Sequence, residues 1–238
     1  MNKNLIYIVA INFDVKEHVA KAWEYYCKKY NCDFKIIETA SIENMAPHWE
    51  RYTVMERYPQ YENYIYVDAD ALVKWDCPNL FELLSEDKFY IVKDIGSLEW
   101  TYNSIMGYQD LFPDITVSWW EYVTTGFLKF SIKHRMFFKK FIEFHKSNDQ
   151  TINDRQYQTL RKGFDQTPFN YFLKQEEQDI IVLPEVFSLG HMHKKDIFNN
   201  GMFLNMPAYI WQFNGIPKEQ LPIVLSQIWN HINHQYTI

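Results

Sequence analysis

The sequence predicts an α/β domain built around a largely parallel sheet, on three observations. Strand-like and helix-like segments alternate as strand–helix–strand–helix–strand over about the first seventy residues, an order that implies right-handed parallel crossovers. Val19, Ala22, Trp23 and Tyr26 fall at the i, i+3, i+4, i+7 spacing of a helix packed on a core. An apolar, β-favouring run, Tyr64–Val67, stops abruptly at a carboxylate, Asp68.

In chain order, Leu5–Ile11 reads as a buried strand, Lys16–Tyr30 as the first helix and Asp33–Thr39 as the second strand. Pro47–Tyr58 reads as another helix and Tyr64–Val67 as the third strand. Pro78–Leu84 is a short helix with proline in its first turn, and Phe89–Val92 a strand. Gly96–Trp120 mixes Gly, Pro and aromatics without a clean period, so long loops with helical pieces are expected there. Thr124–Ser131 alternates as a strand through Gly126, Met136–His145 is an amphipathic helix, and Ile180–Leu183 is a further strand. An apolar helix closes the chain near Leu221–Ile232. No repeat, low-complexity stretch or Pro/Ser-rich linker divides the chain, so one domain is expected over residues 1–238.

With 238 residues, 47% of them hydrophobic, the chain can bury a sizeable core. A net charge of −6 argues against general nucleic-acid binding, which needs a basic face, but leaves a nucleotide open as a small-molecule ligand. The three cysteines, Cys27, Cys32 and Cys77, form no CxxC pair and leave an odd thiol, which points to a reduced, cytoplasmic setting. The N-terminal apolar run is too short for a spanning helix and lacks a small-residue cleavage site. No other run approaches the roughly eighteen apolar residues of a span, so no transmembrane segment is expected.

Asp68-Ala69-Asp70 carries the chemistry. A bend at Ala69 would bring both carboxylates to one point beyond the strand end, where α/β sheets bind ligands. Two converging carboxylates repel unless a cation neutralises them. Hard oxygen ligands with open positions suit Mg²⁺ or Mn²⁺, completed by water and substrate phosphates. The same tripeptide also occurs in plain surface turns and at helix N-caps. No P-loop, Rossmann fingerprint or G-x-S-x-G element is present.

The order of these features resembles the metal-dependent, nucleotide-sugar glycosyltransferases of the GT-A fold. Four pieces carry the resemblance: the N-terminal βαβ half, Asp68 and Asp70 with their flanks, the strand Thr124–Phe130, and Asp165-Gln166-Thr167-Pro168-Phe169-Asn170. The resemblance implies a GT-A-like domain with a mostly parallel (mixed) central sheet flanked by helices. Its nucleotide-binding half would cover about 1–95, its acceptor half about 96–218 and a C-terminal helix about 219–238. It implies sugar transfer from a nucleoside-diphosphate sugar, a UDP-sugar by family habit, to a hydroxyl of an unidentified acceptor. Asp68 and Asp70 would hold Mn²⁺ or Mg²⁺, and Asp165 and Gln166 would sit near the reacting sugar, although Asp165 is also a good helix N-cap.

The tail departs from the family's H-F-x-G-x-x-K pattern. Gly215 and Lys218 match the diphosphate contacts, but Gln212 stands where a metal-binding histidine would be, and it offers only a carbonyl oxygen. His191 and His193 lie shortly before it as alternative ligands. By the same resemblance, Asn12 lies where base and ribose pack, Arg51 approaches the donor, and Asp94 binds the donor sugar's hydroxyls. Trp119, Trp120 and Glu121 fall where acceptors bind in this fold. The rival readings are a nucleotidyltransferase, which would release pyrophosphate, and a catalytically silent nucleotide-sugar-binding protein.

Overall fold

A computed structural model of the chain describes residues 2–15, 17–43, 45–94, 96–190, 204 and 207–237. Its centre is a six-stranded sheet in the order β2-β1-β3-β6-β5-β7. These strands are β1 (Asn4–Val9), β2 (Asp33–Ile37), β3 (Asn63–Val67), β5 (Phe89–Lys93), β6 (Val123–Ser131) and β7 (Ile180–Leu183). β6 alone runs antiparallel to both its neighbours, β3 and β5; the other pairings are parallel. The sheet is therefore mixed and mainly parallel.

Side chains alternate across β3 and build two separate core layers. Ile65 and Val67 join Trp23, Phe127, Trp211 and Leu225 on one face. That layer is covered by α1 (Glu17–Tyr30) and by a last helix, α8 (Leu221–Ile232). Tyr64 and Tyr66 point the other way, into an aromatic layer with Trp49, Tyr52, Phe130, Phe138 and Phe169. α5 (Arg135–Ser147) and α7 (Gln166–Gln175) supply Phe138 and Phe169 of that second layer, and β6 supplies Phe130. The high aromatic content thus goes largely into this face.

A two-stranded antiparallel ribbon, β4 (Ala71–Val73) with β8 (Ile210–Gln212), sits beside the main sheet. Its register pairs Ala71 with Gln212. That pairing carries the tail of the chain to the end of β3. Each strand of the ribbon has three residues, too few to show a period in the sequence.

Several expected elements change. Pro47–Tyr58 is not one α-helix: Pro47–Thr53 is a 3₁₀ helix, followed by a single α turn, α2 (Val54–Arg57). Every residue from Trp49 to Met55 is buried, so this segment has no solvated face and no amphipathic period to read. Within the expected loop region lies an eleven-residue helix, α4 (Leu98–Tyr108), whose first turn is capped by Ser97. Leu98, Tyr102 and Met106 on its outer face are exposed, so apolar residues surround it and hide its period. α6 (Asp149–Tyr157) was not expected either, because only Ile152 and Gln156 in it are buried. The short helix after Pro78 is limited to α3 (Leu80–Leu83), capped by Asn79. Among the described residues no helix is long and apolar enough to cross a membrane.

Candidate active site

The site forms at the carboxyl ends of β1 and β3. The Asp68 backbone N–H still bonds the Gly126 carbonyl of β6 at 3.1 Å, so the sheet fixes Asp68 in place. The chain then turns, with Ala71 N–H donating to the Asp68 carbonyl at 3.0 Å, and Phe213 N–H donates to the Asp70 carbonyl at 3.0 Å. The Asp68 carboxylate accepts from the Tyr66 hydroxyl at 2.6 Å and from the Gln212 amide at 2.7 Å. Gly126 is required here: a Cβ on it would stand 2.8 Å from Asp68 Oδ2 and collide with the Gln212 amide nitrogen.

Asp70 differs from its neighbour. Its carboxylate takes no hydrogen bond from another residue among those described, and it is pushed up to about 7, by burial first and then by the charge of Asp68. A carboxylate without a donor beside a second one is the arrangement that a divalent cation relieves. The oxygens of Asp68 and Asp70 fit such an ion, which would keep open positions for substrate oxygens. Among the described residues no cluster of three or more His, Cys, Asp or Glu stands ready to hold a metal, and His191 and His193 lie outside them. Gln212 turns its amide nitrogen to Asp68, while its carbonyl oxygen accepts from the Ser188 hydroxyl at 2.7 Å. Reversing that amide would present the oxygen instead, since a serine hydroxyl both donates and accepts.

Arg51 lies at the centre rather than on the surface. It is 7% exposed, and its guanidinium donates to the carbonyls of His48 at 2.8 Å and Thr125 at 2.7 Å. It stands 3.4 Å from Asp68 Oδ1 and 3.5 Å from Asp165 Oδ2, and stacks 4.4 Å from the Tyr66 ring centroid. Asp165 precedes α7 without capping it; its carboxylate turns inward and accepts from the Tyr52 hydroxyl at 2.5 Å. Burial pushes the Tyr52 and Tyr66 phenols well up, so both remain protonated donors. The result is a continuous chain, Tyr66–Asp68–Arg51–Asp165–Tyr52, with one cation between two carboxylates.

Two adjoining clefts open over this chain, and Arg51, Asp68 and His48 line both. The smaller, about 410 Å³, contains Asn12, Asp70 and Lys218. Asn12 leaves β1 in the left-handed region at φ 54°, and the exposed Lys218 lies 5.7 Å over the Phe13 ring. The larger, about 860 Å³, contains Asp94, Asp165, Gln166, Gln212 and Gly215. Gln166 donates to Asp94 Oδ2, and the other oxygen of Asp94 accepts from Gly96 N–H at 2.6 Å. Gly215 has φ 80°, a conformation that favours glycine.

Each candidate position of the donor, metal and reacting-sugar sets therefore lines one cleft or both. Trp120 and Glu121 do not: they line a separate hollow of about 640 Å³ against α7, where Glu121 pairs with Lys174 at 2.6 Å. Sequence reasoning missed Tyr52, Tyr66, His48 and Trp100, the last of which lines the larger cleft. A tyrosine that donates to a carboxylate 113 positions away leaves no local signal.

No family model matches the sequence, and no curated protein does. Among solved structures, a glycosyltransferase involved in glycosylation of the major capsid of PBCV-1 superposes with a TM-score of 0.58 at 13% identity, covering 95% of this chain and 100% of that one. The bifunctional glycosyltransferase WbbM, in its apo form, gives 0.62 at 11% identity over 99% of this chain, which spans 52% of WbbM. The galactosyltransferase LgtC, solved with donor and acceptor sugar analogues, gives 0.52 at 11% identity, covering 96% and 99%. The mixed sheet and the cleft at the end of β3 are thus set in a glycosyltransferase fold of the GT-A type.

Proposed function

We propose that this protein transfers a sugar from a nucleoside-diphosphate sugar, a UDP-sugar, to an acceptor hydroxyl, with Mn²⁺ or Mg²⁺ held by Asp68 and Asp70. The observation that carries this is the convergence of Asp70, Lys218 and Asn12 in one cleft, joined through Arg51 and Asp68 to a second cleft with Asp94 and Gln166. The smaller cleft offers an anion-binding lysine beside two carboxylates, a combination suited to a diphosphate only when a divalent cation is present. When bound, such an ion stabilises the charge that develops on the departing diphosphate.

The residues of the chain divide the remaining work. Lys218, exposed and without an ion pair among the described residues, meets the diphosphate as a point charge. Asp94 and Gln166, tied to each other, keep oxygen lone pairs for sugar hydroxyls along the larger cleft. Asp165 is 4% exposed and already engaged by Tyr52 and Arg51, so it acts as a fixed negative charge behind Gln166. The two clefts side by side accommodate a donor in one and an acceptor in the other. LgtC, similar in fold, was solved with both a donor and an acceptor sugar analogue bound.

Thermal-shift screening of nucleotide sugars with and without Mn²⁺, followed by a release assay for the nucleoside diphosphate, tests this reading. A stabilisation by UDP-sugars that needs Mn²⁺ and disappears in Asp70→Asn supports it. Metal-independent binding, or equal binding by the variant, removes Asp68 and Asp70 as the metal site. Release of pyrophosphate instead of a nucleoside diphosphate would make the enzyme a nucleotidyltransferase.

A further inference from the structure

The odd cysteine count resolves into a pair and a singleton. α1 ends in a left-handed residue, Asn31 at φ 51°, and Cys32 N–H then donates back to the Cys27 carbonyl at 3.1 Å. That six-to-one bond with a left-handed residue just past the helix end defines a Schellman cap. In this cap the side chains at the two ends of the bond, three positions before the helix end and two after, make contact. Here those two positions are Cys27 and Cys32. The two thiols are neighbours at the end of α1, where Cys32 lies beside the Cys27 thiol and that thiol approaches the Asp33 carbonyl at 3.9 Å. The third thiol is engaged elsewhere, Cys77 donating to the Pro78 carbonyl at 3.5 Å.

We propose that Cys27 and Cys32 are a disulfide-forming dithiol, a covalent modification site that a small disulfide oxidant such as glutathione disulfide converts into a bridge across the end of α1. The backbone bond keeps the two α-carbons close, as a disulfide requires. No other element has to move for the sulfurs to join, since their contact is part of the cap. Both thiols are free and buried, at 4% and 7% exposure, so entry of the oxidant needs the last turn of α1 to fray. Lys28 and Lys29 in that turn are exposed, while Tyr30 packs on the core and donates to the Cys77 carbonyl at 2.7 Å, so oxidation is slow and follows the rate at which these contacts open.

The chemistry balances without a further reactant. The Cys32 thiol loses its proton to water, and its thiolate attacks one sulfur of glutathione disulfide. The oxidant's S–S bond breaks, one glutathione thiolate leaves, and a mixed disulfide forms on Cys32. Cys27 then loses its proton, and its thiolate attacks the Cys32 sulfur and expels the second glutathione. Two thiols are oxidised to one disulfide, one glutathione disulfide is reduced to two thiols, and the two protons end on the two glutathiones. The bridge ties the end of α1 to the start of β2.

The full chain is incubated in glutathione buffers of rising oxidising poise, quenched in acid, then alkylated with N-ethylmaleimide in denaturant and weighed. The expected product carries one adduct in place of three and has lost two hydrogens. Trypsin cuts at Lys28 and Lys29 inside the loop, so the Cys27 and Cys32 peptides must then run as one species that separates on reduction. Cys77→Ser should leave the bridge intact, and Cys32→Ser should abolish it. The same titration in urea removes the cap; the folded protein should form the bridge at roughly tenfold lower oxidant ratio or less, because the fold raises the effective concentration of the pair. A bridge involving Cys77, a stable glutathione adduct on either thiol, three adducts at every poise, or equal oxidation in urea and in buffer would each overturn the proposal.

Discussion

Among the described residues Arg51 is the one cation that lines both clefts, and its removal gives the sharpest test of how the site is held. Arg51→Met keeps much of the side-chain volume and deletes the charge. The variant loses two hydrogen bonds to the buried carbonyls of His48 and Thr125 and leaves Asp165, 4% exposed, facing only the Tyr52 hydroxyl. Breaking one side of a buried ion pair costs about 3–5 kcal/mol, mostly because the partner charge is left without compensation. For a chain of this length each kcal/mol lowers the melting temperature by about 2–4 °C, so a fall of roughly 6–20 °C is expected.

Asp165→Asn alone should cost less, about 1–2 kcal/mol, because Arg51 keeps Asp68 at 3.4 Å and both of its carbonyl partners. In the double variant no buried carboxylate faces an absent guanidinium, so part of the Arg51→Met loss returns. A double-mutant cycle read by urea unfolding should give a coupling of about 1.5–3 kcal/mol. Additivity within about 0.5 kcal/mol, or a loss below about 1 kcal/mol for Arg51→Met, would refute the bridging role of the guanidinium.

Asp70 gives a pH test. Its folded-state value near 7 lies above the unfolded one near 4, so its contribution to apo stability is present below about pH 4 and is lost as pH rises to 7. Mn²⁺ competes with that proton, so the Mn²⁺-induced rise in melting temperature should grow from pH 5 to 7.5 in the wild type and be absent in Asp70→Asn; a pH-independent shift contradicts this. Gly126→Ala places a methyl 2.8 Å from Asp68 Oδ2, so it should cost about 1–3 kcal/mol and weaken Mn²⁺ binding measured by calorimetry. Unchanged stability with unchanged Mn²⁺ affinity would show that Gln212 and Asp68 yield without loss. Lys218→Ala should leave stability within about 0.5 kcal/mol of wild type but lower UDP affinity in Mn²⁺ roughly tenfold or more, the loss of one charged contact; an unchanged dissociation constant would remove Lys218 from the diphosphate site.

What could be read from the sequence followed the periodicity. β1 and β3 are short and apolar, and the carboxylate at Asp68 marks the strand end because nothing else ends such a run so sharply. α1 and α5 show a clean helical face because one side of each is buried and the other solvated. α4 lost that contrast to the exposed Leu98, Tyr102 and Met106, and α6 lost it to its polar composition. Gln212 could be placed near the aspartates only through a family pattern, since its true cause is the Ala71–Gln212 register across 141 positions of chain.

Arg51 shows why the remainder of the site was not legible. A charged residue in a helical segment is ordinarily solvated, and the sequence gives no reason to bury this one. The reason lies in three partners brought in by tertiary structure, Asp68 at the end of β3, Asp165 before α7 and the Thr125 carbonyl of β6, joined by the local His48 carbonyl of its own 3₁₀ helix. Every residue from Trp49 to Met55 is buried, so Arg51 lies in a segment enclosed on all sides rather than on one face. Asp68 consequently shares its charge between the guanidinium beneath it and any cation above it. Neutralising Asp68 from the cleft side weakens its hold on Arg51 and leaves more of that positive charge for Asp165. A ligand that brings a divalent ion to Asp68 and Asp70 is thus expected to be felt at Asp165 and at Gln166 beside it, across the boundary between the two clefts.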